Sequence, residues 1–271
     1  MKTAPIGIFD SGIGGLTVAG AIHRLMPHER LIYFGDTAHL PYGDKSRESI
    51  IRYSEKITDF LVSQGCKAVV IACNTAASYA FKILEEKLEG KIPVFNVIDP
   101  MVERVLAIPN VKKIGIIGTK GTINSRVYPR KIKRENSSLR VGSLSTPLLV
   151  PMIEEGFFNN KISRTIIHAY LSKRSLSGIQ ALVLACTHYP LIKGEIESFY
   201  KHGVEVIDSA EVTANYVKEH LNEKDWSSEK LVGKHHFYVS DFTPSFEKSV
   251  NVFFKESIHL EYYPLWKEVE I

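Results

Sequence analysis

A chain of 271 residues, 44% hydrophobic and 24% charged, has the composition of an ordinary soluble globular protein with one large domain or two medium ones. A formal net charge of +4 permits an anionic substrate but does not argue for nucleic acid, and no apolar stretch approaches the roughly 20 residues that span a bilayer. We therefore expect neither a nucleic-acid nor a membrane partner. The N-terminus enters an apolar run without a charged leader or cleavage site, so we expect a cytoplasmic protein.

The first hundred residues alternate short apolar runs with amphipathic stretches. We predict strands at 6–9, 31–34, 68–72 and 94–98, and helices at 16–26, 46–64 and 75–88. Alternation of this kind predicts α/β units around a mostly parallel sheet.

The second part of the chain repeats this pattern. Residues 6–9, Cys73 and residues 97–99 have similar counterparts in the same order at 114–117, Cys186 and 206–208. The counterparts lie 108, 113 and 109 positions further on (114 − 6, 186 − 73 and 206 − 97). We predict two homologous, pseudo-symmetric α/β lobes, each with three layers and a mostly parallel sheet, and an active site in the cleft between them.

The chain after residue 208 does not fit a third repeat. It offers a helix at 210–221, a polar linker near 222–229, a strand at 236–239 and a helix near 244–254. We expect this tail to return to the first lobe. The predicted domains are therefore residues 1–97 plus 209–271 for the first lobe and 98–208 for the second.

Two of the three cysteines end apolar runs in matched contexts, Ala72-Cys73-Asn74-Thr75 and Ala185-Cys186-Thr187-His188. Ligands of parallel sheets bind beyond the carboxyl ends of the strands. If the polar residues after each cysteine open a helix, its dipole favours the thiolate. We interpret the pair as an acid and a base that face one substrate from opposite sides. Cys66 is interpreted as structural, and an odd, sparse cysteine count does not suggest disulfides.

Two glycine-rich loops and one polar loop also follow predicted strands. The first, at 10–15, and its counterpart at 115–122 match neither the dinucleotide-binding nor the P-loop pattern. The polar loop spans residues 36–43. His188, two positions after Cys186, suits an acid/base helper better than a metal ligand. We expect no metal and no cofactor.

Taken together, these motifs resemble the cofactor-independent aspartate/glutamate racemases. The matching segments span most of the chain: 10–15, 36–43, 72–75, 115–119, 150–154, 185–190 and 206–208. The resemblance implies racemisation of glutamate, supply of D-glutamate for peptidoglycan, two pseudo-symmetric lobes and a homodimer.

The resemblance also implies roles for individual residues. Cys73 and Cys186 would exchange the α-proton, Cys73 acting on the D-enantiomer and Cys186 on the L-enantiomer. Asp10 would assist Cys73, whereas Glu154 and His188 would assist Cys186. The residues that match substrate-binding positions are Asp10, Ser11, Tyr42, Gly43, Asn74, Thr75, Thr119, Thr122, Thr187 and His188.

Other functions remain open at this point. An aspartate racemase or a maleate-isomerase-like enzyme is the near alternative within the family. A thiol hydrolase that uses Cys186 with His188 is a different class, but it leaves Cys73 and the duplication unexplained. The third alternative is a non-catalytic protein of two lobes that binds an amino acid.

Overall fold

A computed structural model describes residues 2–242 and 250–267. Its strands are β1 (Ile6–Asp10), β2 (Leu31–Gly35), β3 (Ala68–Ile71), β4 (Val94–Asn96), β5 (Lys113–Gly118), β6 (Arg140–Ser145), β7 (Ala181–Ala185), β8 (Glu205–Asp208), β9 (His236–Val239) and β10 (Glu261–Tyr262). Its helices are α1 (Leu16–Leu25), α2 (Arg47–Ser63), α3 (Asn74–Leu88), α4 (Asp99–Leu106), α5 (Lys120–Ser125), α6 (Val127–Glu135), α7 (Leu149–Glu154), α8 (Lys161–Leu171), α9 (Lys193–Phe199) and α10 (Ser209–Glu223). The predicted strands at 6–9, 31–34, 68–72, 94–98 and 236–239 and the predicted helices at 16–26, 46–64, 75–88 and 210–221 are confirmed, with ends that differ by a residue or two.

The strands form two parallel sheets with the same internal order. The larger sheet runs β10-β9-β2-β1-β3-β4 and the smaller one β6-β5-β7-β8. Within the larger sheet, β2-β1-β3-β4 repeats the order of the smaller sheet strand for strand. In each sheet the strand order reverses at the first strand, β1 or its counterpart β5. The next strand in the chain lies on one side of it, and the one after that lies on the other side. Ligands of open parallel sheets bind at such a switch point.

Burial explains why these segments become central strands. Every residue of β1, β2, β3 and β7 is buried, so their apolar runs are covered on both faces, as parallel sheets require. The helices between them are amphipathic and cover the sheets. Ser46 caps α2 by accepting a hydrogen bond from the Ser49 amide at 3.2 Å.

The tail extends the larger sheet. Strand β9 pairs with β2, and β10 pairs with β9. Of the predicted helix near 244–254, residues 243–249 lie outside the described residues, while 250–254 are helical. The chain changes sheet between Asn96 and Lys113 and again after Asp208; the boundaries at 97/98 and 208/209 stay predictions. Across residues 2–242 and 250–267, no helix has the length and apolar character needed to cross a membrane.

Candidate active site

A cavity of about 270 Å³ lies where the carboxyl ends of the two sheets meet. Most of the predicted site residues line it: Ser11, Tyr42, Gly43, Cys73, Asn74, Thr75, Thr119, Glu154, Cys186, Thr187 and His188. The remaining lining residues were not anticipated from the sequence: Leu40, Pro41, Asp44, Lys120, Thr146, Pro147, Val150, Pro151 and Ala185. Two predicted residues, Asp10 and Thr122, do not line the cavity, so a direct substrate contact is not supported for them.

Cys73 caps the N-terminus of α3 and is almost fully buried. Its sulfur accepts a hydrogen bond from the Ala76 amide at 3.5 Å, and its thiol donates to Ser11 Oγ at 3.6 Å. Burial and then the charge of Asp10 raise the pKa of Cys73 to about 12, outweighing the Ala76 amide and Ser11. The amide at the helix N-terminus does favour the thiolate, as expected, but burial and Asp10 have the larger effect. Cys73 is held as a thiol at neutral pH.

Asp10 lies behind the cavity wall at the end of β1. Its carboxylate accepts hydrogen bonds from the Gly12 amide at 3.0 Å and from Thr187 Oγ1 at 3.4 Å. Burial raises the pKa of Asp10, although the charge of His188 and nearby backbone amides work in the opposite direction. Asp10 thus connects the glycine-rich loop of the larger sheet to the loop that carries Cys186.

Cys186 has a different set of neighbours. Its sulfur lies 3.8 Å from His188 Nδ1, and His188 Nε2 lies 2.9 Å from Glu154 Oε1. Burial by itself lowers the pKa of His188, but hydrogen bonds to Cys186 and Glu154, with the charges of both, raise it to about 10. His188 is therefore an imidazolium at neutral pH. His188 therefore places a positive charge beside the sulfur of Cys186.

The helix expected directly after Cys186 is absent from that position. Residues 189–192 form a 3₁₀ turn that contains Pro190, and α9 begins only at Lys193. The condition that residues 187–188 open an α-helix is therefore not met. Cys186 does not lie at the N-terminus of an α-helix, and its polar neighbour is His188.

Replacing Glu154 with glutamine should lower the pKa of His188, because Glu154 supplies both a hydrogen bond and a charge that raise it. In the wild-type protein the charged ring stabilises the fold below about pH 6.5, and this contribution is lost as the pH rises through about 10. NMR titration of the imidazole, assigned by comparison with His188→Asn, should show a lower midpoint in Glu154→Gln. Glu155→Gln changes an exposed neighbouring carboxylate and should leave the midpoint in place. Equal midpoints in Glu154→Gln and wild type would contradict the assignment.

Three threonine hydroxyls join the two sides of the cavity. Thr75, on α3, lies 2.8 Å from Thr119 and 3.2 Å from Thr122, measured between Oγ1 atoms. Thr119 faces the cavity, whereas Thr122 is behind it and 2% exposed. Thr122 therefore orients the other two hydroxyls.

Asp36 is a buried residue that the sequence did not single out, although the loop that contains it was noted. Its carboxylate accepts hydrogen bonds from Tyr42 OH at 2.7 Å, His39 Nδ1 at 2.9 Å, Ser240 Oγ at 2.8 Å and Trp266 Nε1 at 2.7 Å. Tyr42 lines the cavity. Asp36 therefore fixes one wall of the cavity and ties the C-terminal segment to it.

The third cysteine lies outside this cavity, and no metal site is evident among the described residues. Cys66 is buried and packs beside Gly7, away from the lining residues. In the part of the chain that the structure describes, no group of three His, Cys, Asp or Glu side chains is arranged to hold a metal ion. The expected independence from metals and cofactors stays a prediction.

Two equivalent parallel sheets that each bring one buried cysteine to a shared cavity define an α/β racemase-type fold and site. The family model described as Asp/Glu/Hydantoin racemase matches residues 16–217, and the chain belongs to this family. The predicted family, fold class and isomerase class are thereby confirmed.

Similar proteins cover nearly the whole chain. The glutamate racemase of Geobacter metallireducens is 44% identical over 256 residues, which is 93% of each chain. That of Neisseria meningitidis serogroup C is 42% identical over 246 residues, or 90% of each chain. The crystal structure of glutamate racemase from Francisella tularensis, in complex with D-glutamate, has a TM-score of 0.91 and 37% identity, covering 98% of this chain and 99% of that one.

Proposed function

We propose that this protein is a glutamate racemase that interconverts L- and D-glutamate by a two-base mechanism. The observation that carries the proposal is the pair of buried cysteines, one from each of two equivalent strand ends, in a single cavity. Proton exchange at one carbon with inversion requires an acid and a base on opposite faces.

The two cysteines start in opposite protonation states. In the L-to-D direction, the Cys186 thiolate removes the α-proton, and the electron pair left on Cα takes a proton from the Cys73 thiol. Burial and Asp10 keep Cys73 protonated, and the imidazolium of His188 lies beside Cys186. In the D-to-L direction, the Cys73 thiolate removes the α-proton and the Cys186 thiol supplies the new one. Each turnover exchanges the roles of the sulfurs.

The substrate is held by donors from both sides of the cavity. The side chains of Asn74, Thr75 and Thr187, with the N-terminus of α3, suit the carboxylates of an amino acid. Ser11, Tyr42, Gly43 and Thr119 complete the polar lining. Asp10 and Thr122 act from behind the wall by orienting Thr187 and Thr119.

The barrier is lowered by a dry, preorganised environment. The α-hydrogen of an amino acid is a very weak acid, so charge that develops at Cα needs stabilisation by fixed dipoles. Leu40, Val150 and Pro151 supply apolar wall, and both cysteines are 6% exposed. A buried thiolate in such a site keeps its basicity because little water solvates it.

The other functions explain less of the site. A hydrolase that uses Cys186 with His188 gives no role to Cys73, Ser11 or the duplicated sheet order. An amino-acid-binding module needs neither buried thiol. Aspartate racemase and maleate isomerase chemistry would use a similar cavity, but the relatives that are 42–44% identical carry the name glutamate racemase.

The assay that tests the proposal uses purified protein in D₂O with reduced thiols and no added cofactor. We expect the α-hydrogen of glutamate to exchange with solvent and either enantiomer to racemise, with much slower turnover of aspartate. Absence of exchange from both glutamate enantiomers would overturn the proposal. Faster turnover of aspartate would reassign the substrate.

The biological setting is part of the same proposal. D-glutamate is a component of peptidoglycan, and we expect the protein to supply it in the cytoplasm as a homodimer. Sedimentation equilibrium of the full chain, with and without glutamate, measures the assembly state. A monomer in both conditions would contradict the dimer.

A further inference from the structure

One hydrogen-bond donor in the cavity has no partner. Asn74, the first residue of α3, is 2% exposed and lines the cavity. Its Nδ2 is buried and contacts no acceptor among the described residues. An amide N–H₂ left unsatisfied in a folded protein costs free energy unless a ligand completes it.

The oxygen of the same amide is held by a residue from the second half of the repeat. Tyr128, on α6 between β5 and β6 in the chain, is 1% exposed, and its hydroxyl donates to Asn74 Oδ1 at 2.7 Å. Asn74 belongs to a helix beside the larger sheet. One buried hydrogen bond therefore joins the two sides and occupies the amide oxygen.

The direction of this hydrogen bond decides what Asn74 presents to the substrate. With the oxygen bound to Tyr128, the N–H₂ group is left for the cavity. If the amide turned over, the Tyr128 hydroxyl would accept from the N–H₂ group, and the amide oxygen would be left to repel a carboxylate. A carboxylate ligand therefore favours the orientation in which Tyr128 donates to the oxygen.

We propose that Tyr128 is a positioning residue that holds the Asn74 amide with its N–H₂ group toward a carboxylate of the substrate. The proposal rests on the racemase function proposed above. Negative charge from the carbanion spreads onto the α-carboxylate, so a donor fixed there stabilises the transition state as well as the bound substrate. Tyr128 itself touches no substrate atom in this arrangement.

Tyr128→Phe tests the proposal because it removes only the hydroxyl. We expect kcat/KM for glutamate to fall about tenfold, the size of a lost hydrogen bond to a charged group, with a higher KM. The matched control is Tyr79→Phe. Tyr79 also crosses between the two sides, donating to the Gly121 carbonyl at 2.9 Å, but it does not touch Asn74. We expect its kcat/KM to stay within about twofold of wild type.

A double-mutant cycle separates positioning from a general structural effect. If Tyr128 acts through Asn74, Tyr128→Phe should cost about tenfold in the wild-type background and almost nothing in Asn74→Ala. Equal losses in both backgrounds would overturn the proposal, as would equal losses in Tyr128→Phe and Tyr79→Phe. The wild-type assay in D₂O reports separately on the racemase function, so failure of one inference is distinguishable from failure of the other.

Discussion

Serine in place of either Cys73 or Cys186 should strongly slow interconversion of the glutamate enantiomers and leave one half-reaction intact. Each variant keeps one sulfur that removes a proton from one face of Cα. Cys73→Ser should still exchange the α-hydrogen of L-glutamate with D₂O, and Cys186→Ser that of D-glutamate. We expect racemisation to fall by about 10²- to 10⁴-fold, the range that a positioned acid or base contributes. Mass spectrometry and chiral chromatography measure the two quantities on one sample.

Exchange is the informative measurement for a thermodynamic reason. The enantiomers have equal free energies in water, so any substitution must change kcat/KM by the same factor in both directions. Steady-state rates alone therefore cannot assign a cysteine to a face. Cys66→Ser provides the matched control, because Cys66 is equally buried but lies outside the cavity, and it should keep racemisation near the wild-type rate. A two-base mechanism would be refuted by near-normal racemisation in either active-site variant.

Alanine at Gly14 should disable the enzyme without unfolding it. A Cβ atom at this position would lie 2.4 Å from His188 Nδ1 and 2.6 Å from Thr187 Oγ1, so His188 must move. Glu154 and Cys186 hold the ring on its two nitrogens, and displacement breaks one or both contacts. Misplacement of about 1 Å costs on the order of 10²-fold, and we expect a loss of that size in kcat/KM.

Far-ultraviolet circular dichroism of Gly14→Ala should stay close to wild type, because the fold is kept, whereas thermal unfolding should shift to a lower temperature, because overpacking beside the buried Thr187 and His188 costs about 1–3 kcal/mol. Gly194→Ala is the control: this glycine lies in α9 on the same side as His188, and a Cβ there meets nothing within 4 Å. It should keep full activity. Unchanged racemisation in Gly14→Ala would show that the His188 position is not critical.

The strands and helices that could be predicted from the sequence are those whose residues show a local pattern of apolar and polar side chains. Apolar runs bounded by turns identified β1, β3 and β7, and the matched Ala-Cys pairs placed Cys73 and Cys186 at strand ends. Apolar patterning indicates which segments are buried strands, and in a parallel sheet the ligand binds beyond their carboxyl ends. The family motifs contributed residues that do line the cavity, such as Glu154 and His188.

What could not be predicted depends on contacts between distant segments. Trp266 reaches Asp36 across 230 positions, and Tyr128 reaches Asn74 across 54, with no local pattern at either end. The direction in which the pKa of Cys73 shifts could not be predicted for a similar reason. A helix N-terminus is visible in the sequence, but burial and the nearby charge of Asp10 are properties of the assembled fold, and they have the larger effect.

The hydrogen bond between Trp266 and Asp36 supplies the molecule with an intrinsic optical reporter. The chain contains two tryptophans, and Trp226 lies outside the cavity lining. The indole of Trp266 shares the Asp36 carboxylate with Tyr42 and packs edge-on against His39 at 4.6 Å between ring centroids. Its emission is therefore coupled to the loop that closes one side of the cavity. In a Trp226→Phe background, we expect the emission of Trp266 to change when glutamate binds, which would follow binding in real time without a label.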